Sequence, residues 1–262
     1  MKLVAGKLVK QEEICKDVFR IRIEVPEIAK ICTPGQFIHL KVHDGIDPLL
    51  RRPFSIHGVS AQQGTLDLLY RVVGQGSRTM AGMKIGDRWN IMGPLGNGFN
   101  LDLDFDHALI VAGGMGSAPV LFLIQHLLSM KKKITFLWGA RVCDEIFGVK
   151  ELTNAGMDVR IATDDGSRGH HGFVTDLLKE FLIEHAENRQ MLGFVCGPEP
   201  MMAGVQKLAV STVFPWQVSM ERHMACGVGV CMGCGITKTT GAMEMVCKDG
   251  PIFDLREVDF NG

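Results

Sequence analysis

Residues 108–119 read Ala108-Leu109-Ile110-Val111-Ala112-Gly113-Gly114-Met115-Gly116-Ser117-Ala118-Pro119, and this stretch decides the fold. The apolar run suits a short strand covered on both faces. It enters a glycine turn, and a helical pattern follows from about Ala118 to Met130. A strand, a glycine turn and a helix in this order open a nucleotide-binding unit. The glycines let a pyrophosphate approach the backbone and the helix N-terminus. Gly114 and Gly116 are the candidate contacts, and Pro119 fits the first helical turn.

Toward the C-terminus the alternation continues. Strands are expected at Ile134–Trp138, Val159–Thr163 and Met191–Cys196, with helices near Asp144–Asn154, Phe173–His185 and Pro200–Val210. Strands alternating with helices imply a parallel sheet with crossover helices. Open α/β sheets bind ligands at the strand C-termini. Cys196, in Cys196-Gly197-Pro198, ends one such strand; this run resembles the CGP motif of a reductase superfamily, which implies a nicotinamide contact, and a buried thiol is the alternative. Asp165, in Thr163-Asp164-Asp165-Gly166-Ser167, ends another. Two carboxylates there would repel a 2′-phosphate and accept from a ribose hydroxyl, which favours NAD over NADP. Arg141 and Arg168 weigh against that preference, and a solvated acidic turn is the alternative.

Toward the N-terminus the period changes from helical to two. Ile21, Ile23 and Val25 alternate with Arg20, Arg22 and Glu24, and Ile38, Leu40 and Val42 with His39, Lys41 and His43. Thr65–Val73 and Arg88–Met92 read as further strands, with one short helix near Ser77–Lys84. Several short strands separated by Gly and Pro suggest a closed antiparallel barrel. The expected architecture is multidomain: a β-barrel over 1–100, an α/β parallel-sheet domain over 101–215, and a small cysteine-rich module over 216–262.

That last segment carries the chemistry. The chain has eight cysteines, and four fall at Cys226, Cys231, Cys234 and Cys247. Clustered cysteines in a chain without secretory features are more often metal ligands than disulfides. C-x4-C-x2-C with a distant fourth cysteine is the plant-type [2Fe–2S] spacing. Gly227, Gly229 and Gly233 permit positive φ, so that backbone amides can face the sulfurs. Structural zinc is the alternative, but its sites usually show two paired knuckles. The segment is too short for a core of its own. Cys15, Cys32 and Cys143 are read as buried thiols.

The 262 residues are 46% hydrophobic and 22% charged, with a formal net charge of −1, as in a globular protein with an ample core. No block of one sign points to nucleic acid or an anionic membrane. The first residues, MKLVAGKLVKQEE, lack the apolar stretch of a signal peptide. No apolar run is long enough to span a bilayer. The expected location is the cytoplasm.

Arg52-Pro53-Phe54-Ser55 resembles the R-x-[YF]-[ST] flavin motif of the ferredoxin-NADP reductase superfamily. The resemblance implies that Arg52 pairs with the FAD pyrophosphate, that Phe54, next to Pro53, packs on the isoalloxazine, and that Ser55 reaches its polar edge. Leu69-Tyr70-Arg71 and Gly76-Ser77 are similar to the second flavin strand and phosphate turn. Tyr70 is equally readable as barrel core. The Gly114–Pro119 turn and the Cys-Gly-Pro run resemble the same superfamily. Hydride transfer needs no general base, so no residue is assigned a catalytic role. His57 is read as hydrogen-bonded.

Gly93-Pro94-Leu95-Gly96-Asn97-Gly98-Phe99 and the run from Met220 to Cys231 narrow the resemblance further. Across the whole chain it resembles the electron-transfer subunits of class 1B dihydroorotate dehydrogenases. The resemblance implies a heterotetramer, two such chains with two FMN-containing catalytic subunits. Electrons from dihydroorotate would pass through the cluster and FAD to NAD+, in pyrimidine biosynthesis. Small FAD/[2Fe–2S] subunits of NAD(P)H-ferredoxin or sulfide oxidoreductases share the architecture, though some replace a cluster cysteine with Asp. A zinc-stapled nucleotide-binding regulator is the rival from another class. Met220, Met224 and Met232 are the guess for the partner face.

Overall fold

The computed structural model describes residues 1–43 and 45–260; Asp44 in the first segment and Asn261 and Gly262 in the last lie outside the described residues. The N-terminal part comprises β1 (Lys2–Cys15), β2 (Val18–Glu24), α1 (Pro26–Ala29), β3 (Phe37–Lys41), β4 (Arg52–Ser60), β5 (Thr65–Arg71), α2 (Gln75–Ala81) and β6 (Arg88–Leu95). Its six strands close a barrel in the order β1-β2-β5-β4-β3-β6. The alternation sets the two faces. Ile21, Ile23, Ile38 and Leu40 fill the interior with Leu66 and Leu68. On the outer face, Arg22 of β2 clasps its cross-strand partner Asp67 of β5 through two bonds of 2.7 and 2.8 Å. Such pairs stabilise register more than they add free energy.

The second part runs β7 (His107–Gly113), α3 (Ser117–Ser129), β8 (Lys133–Ala140), α4 (Val149–Asn154), β9 (Asp158–Thr163), β10 (His170–His171), α5 (Val174–His185), β11 (Met191–Cys196), α6 (Glu199–Ala209) and β12 (Trp216–Ser219). These strands are parallel, in the order β10-β9-β8-β7-β11-β12. Every residue of β7 is buried. Ala108, Ile110 and Ala112 face α3, with Val120, Leu123 and Leu127. Leu109 and Val111 face α5 and α6, with Leu178 and Val205. That two-sided burial explains the unbroken apolar run.

The expected helix over Asp144–Asn154 is in two pieces, a 3-10 turn at Cys143–Glu145 and α4. Gly148, with φ +72°, breaks the helical path between them. The sheet also crosses the expected boundary between 215 and 216. Trp216 of β12 packs so closely on Gly193 of β11 that a Cβ there would meet the indole at 2.2 Å. The last segment adds β13 (Gly235–Thr237), β14 (Met243–Met245) and β15 (Ile252–Asp254). β15 pairs antiparallel with β12, Ser219 opposite Ile252, and closes the sheet edge. Ile236, Val246, Phe253 and Leu255 share one core with Trp216 and Phe37. A segment too short for its own core therefore borrows its neighbours'. Among the described residues no helix is long and apolar enough to cross a membrane.

Candidate redox site

The four cysteines are brought together. Cys234 and Cys247 lie inside the shared core at 2% and 3% exposure, Cys226 is half-buried and Cys231 is exposed. Among the described residues no three metal-ligating side chains converge as the ligands of a single ion would. The thiols associate instead as two pairs, Cys226 with Cys231 and Cys234 with Cys247. Two thiolates per iron is what a two-iron cluster requires, so the donor set fits that group. Amides are aimed at the sulfurs. Gly229 N–H donates to Cys247 Sγ at 3.0 Å, Val228 and Cys231 to Cys226 Sγ at 3.4 Å each, and Cys247 to Cys234 Sγ at 3.4 Å. Burial works against the Cys226 thiolate, but these amides outweigh it and bring that thiol down to about 6. Burial and the Cys234 partner push Cys247 up to about 12.

Gly227 and Gly229 have φ of +70° and +78°, as expected, but the third left-handed residue of the loop is Met232, at +57°, not Gly233. Of the methionines guessed to face a partner, Met220 is core and Met224 packs against it; only Met232 is exposed. Cys15, Cys32 and Cys143 are half-buried, not buried.

The flavin motif lies on β4, between β3 and β5. The Arg52 guanidinium arches over the turn that starts α2, where a Cβ on Gly76 would sit 3.0 Å from Arg52 Nε. The first helical bond of α2 runs from Arg78 N–H to Gly74 O, so the amides before it have no carbonyl of their own turn to meet. A cation above free amides suits a pyrophosphate. The Ser77 hydroxyl is spent on this turn, accepting from Val73 and Gly74 N–H at 2.9 and 3.1 Å. Tyr70 is buried between Phe19 and Phe54, with ring centroids 5.8 and 5.7 Å away, and its hydroxyl has no partner. That orphaned hydroxyl beside Phe54 fits a flavin, and Tyr70 proves also to be core. Arg71 reaches across to the second part, donating to Glu145 at 2.7 Å. Leu69 packs with Ala118 at the same junction. Pro53 and Ser55 share the outer face of the barrel, cross-strand from His39 and Phe37.

In the nicotinamide turn the glycines divide the work. Gly114 is left-handed, φ +52°, and faces open space, so only it meets the requirement for close cofactor approach. Gly116 serves packing, since a Cβ there would lie 2.2 Å from the Cys196 carbonyl. Cys196 ends β11 beside Ser219, and burial raises its thiol to about 12, which makes it an inert neighbour of the turn. One oxygen of Asp165 is engaged by Ser167 N–H and Oγ at 2.9 and 2.6 Å, and these bonds hold its carboxyl low. The turn that presents this carboxyl closes the C-terminal end of β9. Arg141 is paired with Glu145 at 3.0 Å.

These parts meet at β4. On one side His57 is hydrogen-bonded to Ala118 O at 3.0 Å, which ties the flavin strand to the nicotinamide turn. On the other side His39, opposite Pro53, lies under the cluster loop, where a Cβ on Gly227 would meet its Nδ1 at 2.5 Å. Burial first, then the cations of Arg51 and Arg52, hold His39 down to about 4, so the ring is neutral. The linker Gly93–Phe99 clasps the far end of the module. Asn97 N–H donates to Gly250 O at 2.7 Å, and its side chain to Lys248 O and Asp249 O. His39 and Asn97 were not among the expected site residues. The unusual density of glycine around Asn97 was the available signal for the second.

Comparison with known proteins agrees with this layout. Residues 221–259 match an iron–sulfur cluster binding domain of dihydroorotate dehydrogenase B, 5–99 an oxidoreductase FAD-binding domain, and 110–207 an oxidoreductase NAD-binding domain. The fold and domains define an NAD-dependent flavin and iron–sulfur oxidoreductase. The electron transfer subunit of dihydroorotate dehydrogenase B (NAD(+)) from Desulforamulus reducens is 38% identical over 261 residues, 98% of each chain. That from Bacillus cereus (strain B4264) is 33% identical over 258 residues, 96% of each. The chain belongs to this family of electron transfer subunits. A structure of NADH-dependent reduced ferredoxin-NADP oxidoreductase superposes with a TM-score of 0.86 at 29% identity, over 98% of this chain and 90% of that one. A ferredoxin NADP+ reductase from Neisseria gonorrhoeae shares the fold at 0.69 and 18% identity, over 86% and 96%.

Proposed function

We propose that the chain carries electrons from the FMN of a dihydroorotate dehydrogenase catalytic subunit, through a [2Fe–2S] cluster and FAD, to NAD+, in de novo pyrimidine biosynthesis. Cys226, Cys231, Cys234 and Cys247 hold the cluster. Arg52 and the turn at Gly76–Ser77 hold the FAD pyrophosphate, with Pro53, Phe54, Ser55 and the Leu69–Arg71 strand around the ring. Gly114, Asp165 and the Cys196 end of β11 receive NAD, with the Asp165 carboxylate accepting a hydrogen bond from its ribose 2′-hydroxyl. The assembly is a cytoplasmic heterotetramer of two plus two.

The observation that carries this reading is the position of β4, tied to the nicotinamide turn through His57 and facing the cluster loop through His39. A flavin, when bound, converts between one-electron and two-electron transfer. The chain supplies the rest: amides that stabilise negative charge on sulfur, a cation over the pyrophosphate, and an exposed Cys231 flanked by exposed Val230 and Met232, where a partner can approach.

Co-purification tests the assignment. An FMN protein bound at one-to-one stoichiometry, with dihydroorotate-driven NAD+ reduction in the complex, is the expected result. The likeness to the NADH-dependent ferredoxin-NADP oxidoreductase favours one other reading, a subunit that exchanges electrons with ferredoxin. Ferredoxin-dependent but not dihydroorotate-dependent reduction would select it. A colourless protein holding zinc and no iron would overturn both.

A further inference from the structure

His39 is the fully buried histidine whose two ring nitrogens both lack a hydrogen-bond partner. Its neighbours on β3 explain its burial. Ile38 and Leu40 point into the barrel, so His39 points out, into the seam between the flavin strand and the cysteine loop. Phe37 meets its ring edge-on at 6.4 Å, and Pro53 stands opposite. The third wall is Gly227, next to Cys226. A Cβ on Gly227 would lie 2.5 Å from Nδ1 and 2.9 Å from Cε1, so the nitrogen edge of the ring is turned toward the loop. A buried polar group is normally hydrogen-bonded, and leaving both nitrogens unpaired is costly. A neutral imidazole carries one N–H to donate. No carbonyl of the loop meets either nitrogen, so the acceptors left for the seam are the sulfurs that the loop would hold.

We propose that His39 donates a hydrogen bond to a sulfur of the cluster, which makes it a potential-setting contact on the cluster's flavin-facing side. The proposal rests on the cluster assignment above. A donor aimed at sulfur favours the reduced, more negative cluster and raises its potential. The contact also lies on a covalent and packing route between Cys226 and the Arg52–Ser55 motif, through Gly227, the imidazole and Pro53.

The test uses the full chain loaded with cluster and FAD. Labelling with ¹⁵N-histidine and recording hyperfine spectra of the reduced cluster is expected to change a nitrogen coupling. The coupling persists in labelled His223→Gln, which lacks the loop's own histidine. In His39→Leu it disappears, and the cluster midpoint, followed by EPR, moves to a more negative value while the flavin midpoint stays. His39→Gln, which keeps a donor, recovers part of that shift. A label without effect on the spectrum, or a flavin midpoint that moves alone, overturns the proposal. If His39→Leu loads no iron, the labelled His223→Gln measurement decides by itself. Absence of iron from the unaltered chain would instead overturn the cluster assignment.

Discussion

The flavin cradle and the cysteine loop do related work with opposite construction. The cradle is built on strands. Arg52, Pro53, Phe54 and Ser55 sit at fixed register positions of β4, and the barrel core holds β4 whatever is bound. The loop from 221 to 234 has no regular structure, three left-handed residues and an exposed cysteine. Its order comes from amide-to-sulfur bonds and from its anchors in the shared core. A site made of strands can lose its ligand and keep its shape. A site made of loop and thiols depends on its metal for both. The two cofactors are therefore expected to be separable by mutation.

The strongest test of that asymmetry is Cys231→Ser. Iron content falls to near zero, while FAD content and NADH-to-dye activity on FAD remain; unaltered iron would refute the ligand assignment. Gly227→Ala comes next. It forces a side chain into φ +70° and against the His39 ring, a combined cost of about 2–4 kcal/mol. Iron loading drops several-fold with FAD retained, and normal loading would show that the loop tolerates a shifted path.

Arg52→Ala probes the opposite arm. Loss of a charge-assisted contact of about 1.5–3 kcal/mol weakens FAD retention roughly 10- to 100-fold and leaves iron unchanged. Full flavin occupancy would mean that the pyrophosphate lies elsewhere. The smallest effect belongs to Asn97→Ala, which removes the side-chain clasp between the two regions but leaves the backbone bond to Gly250. About 1 kcal/mol of docking is lost. Cluster loss to a chelator quickens a few-fold and FAD is unaffected, whereas equal loss of both cofactors would erase the asymmetry.

The same contrast governs what the sequence reveals. The β7–β11 core was legible because an apolar run buried on both faces leaves a pattern in every residue, and the barrel because its period is two. The cysteine spacing was legible because cluster geometry leaves little choice. β12 and β15 were not. They are short, and pairing with each other and with β11 defines them, not a local period. The helix expected near Asp144 is shorter because Gly148 leaves the helical region, a break that the apolar period does not record. His39 falls in the polar half of an alternating strand, a solvent position by that rule. What covers it is a loop more than two thirds of the chain away in sequence, and no local pattern records that.

One feature of the sheet edge bears on how such a molecule could arise. Ser219 and Ile252 are cross-strand neighbours in an antiparallel pair, so residues 220–251 leave the sheet and return to the same spot. The whole cysteine segment is a cassette between two adjoining attachment points. An ordinary hairpin could join those points directly, and sites of this kind accept insertions with little disturbance to the host. By connection the segment is an insertion at the sheet edge, while by packing its Ile236 and Val246 belong to the core of Trp216 and Phe37, so excision of 220–251 behind a two-residue turn should leave FAD bound but lower the melting temperature of the remaining reductase.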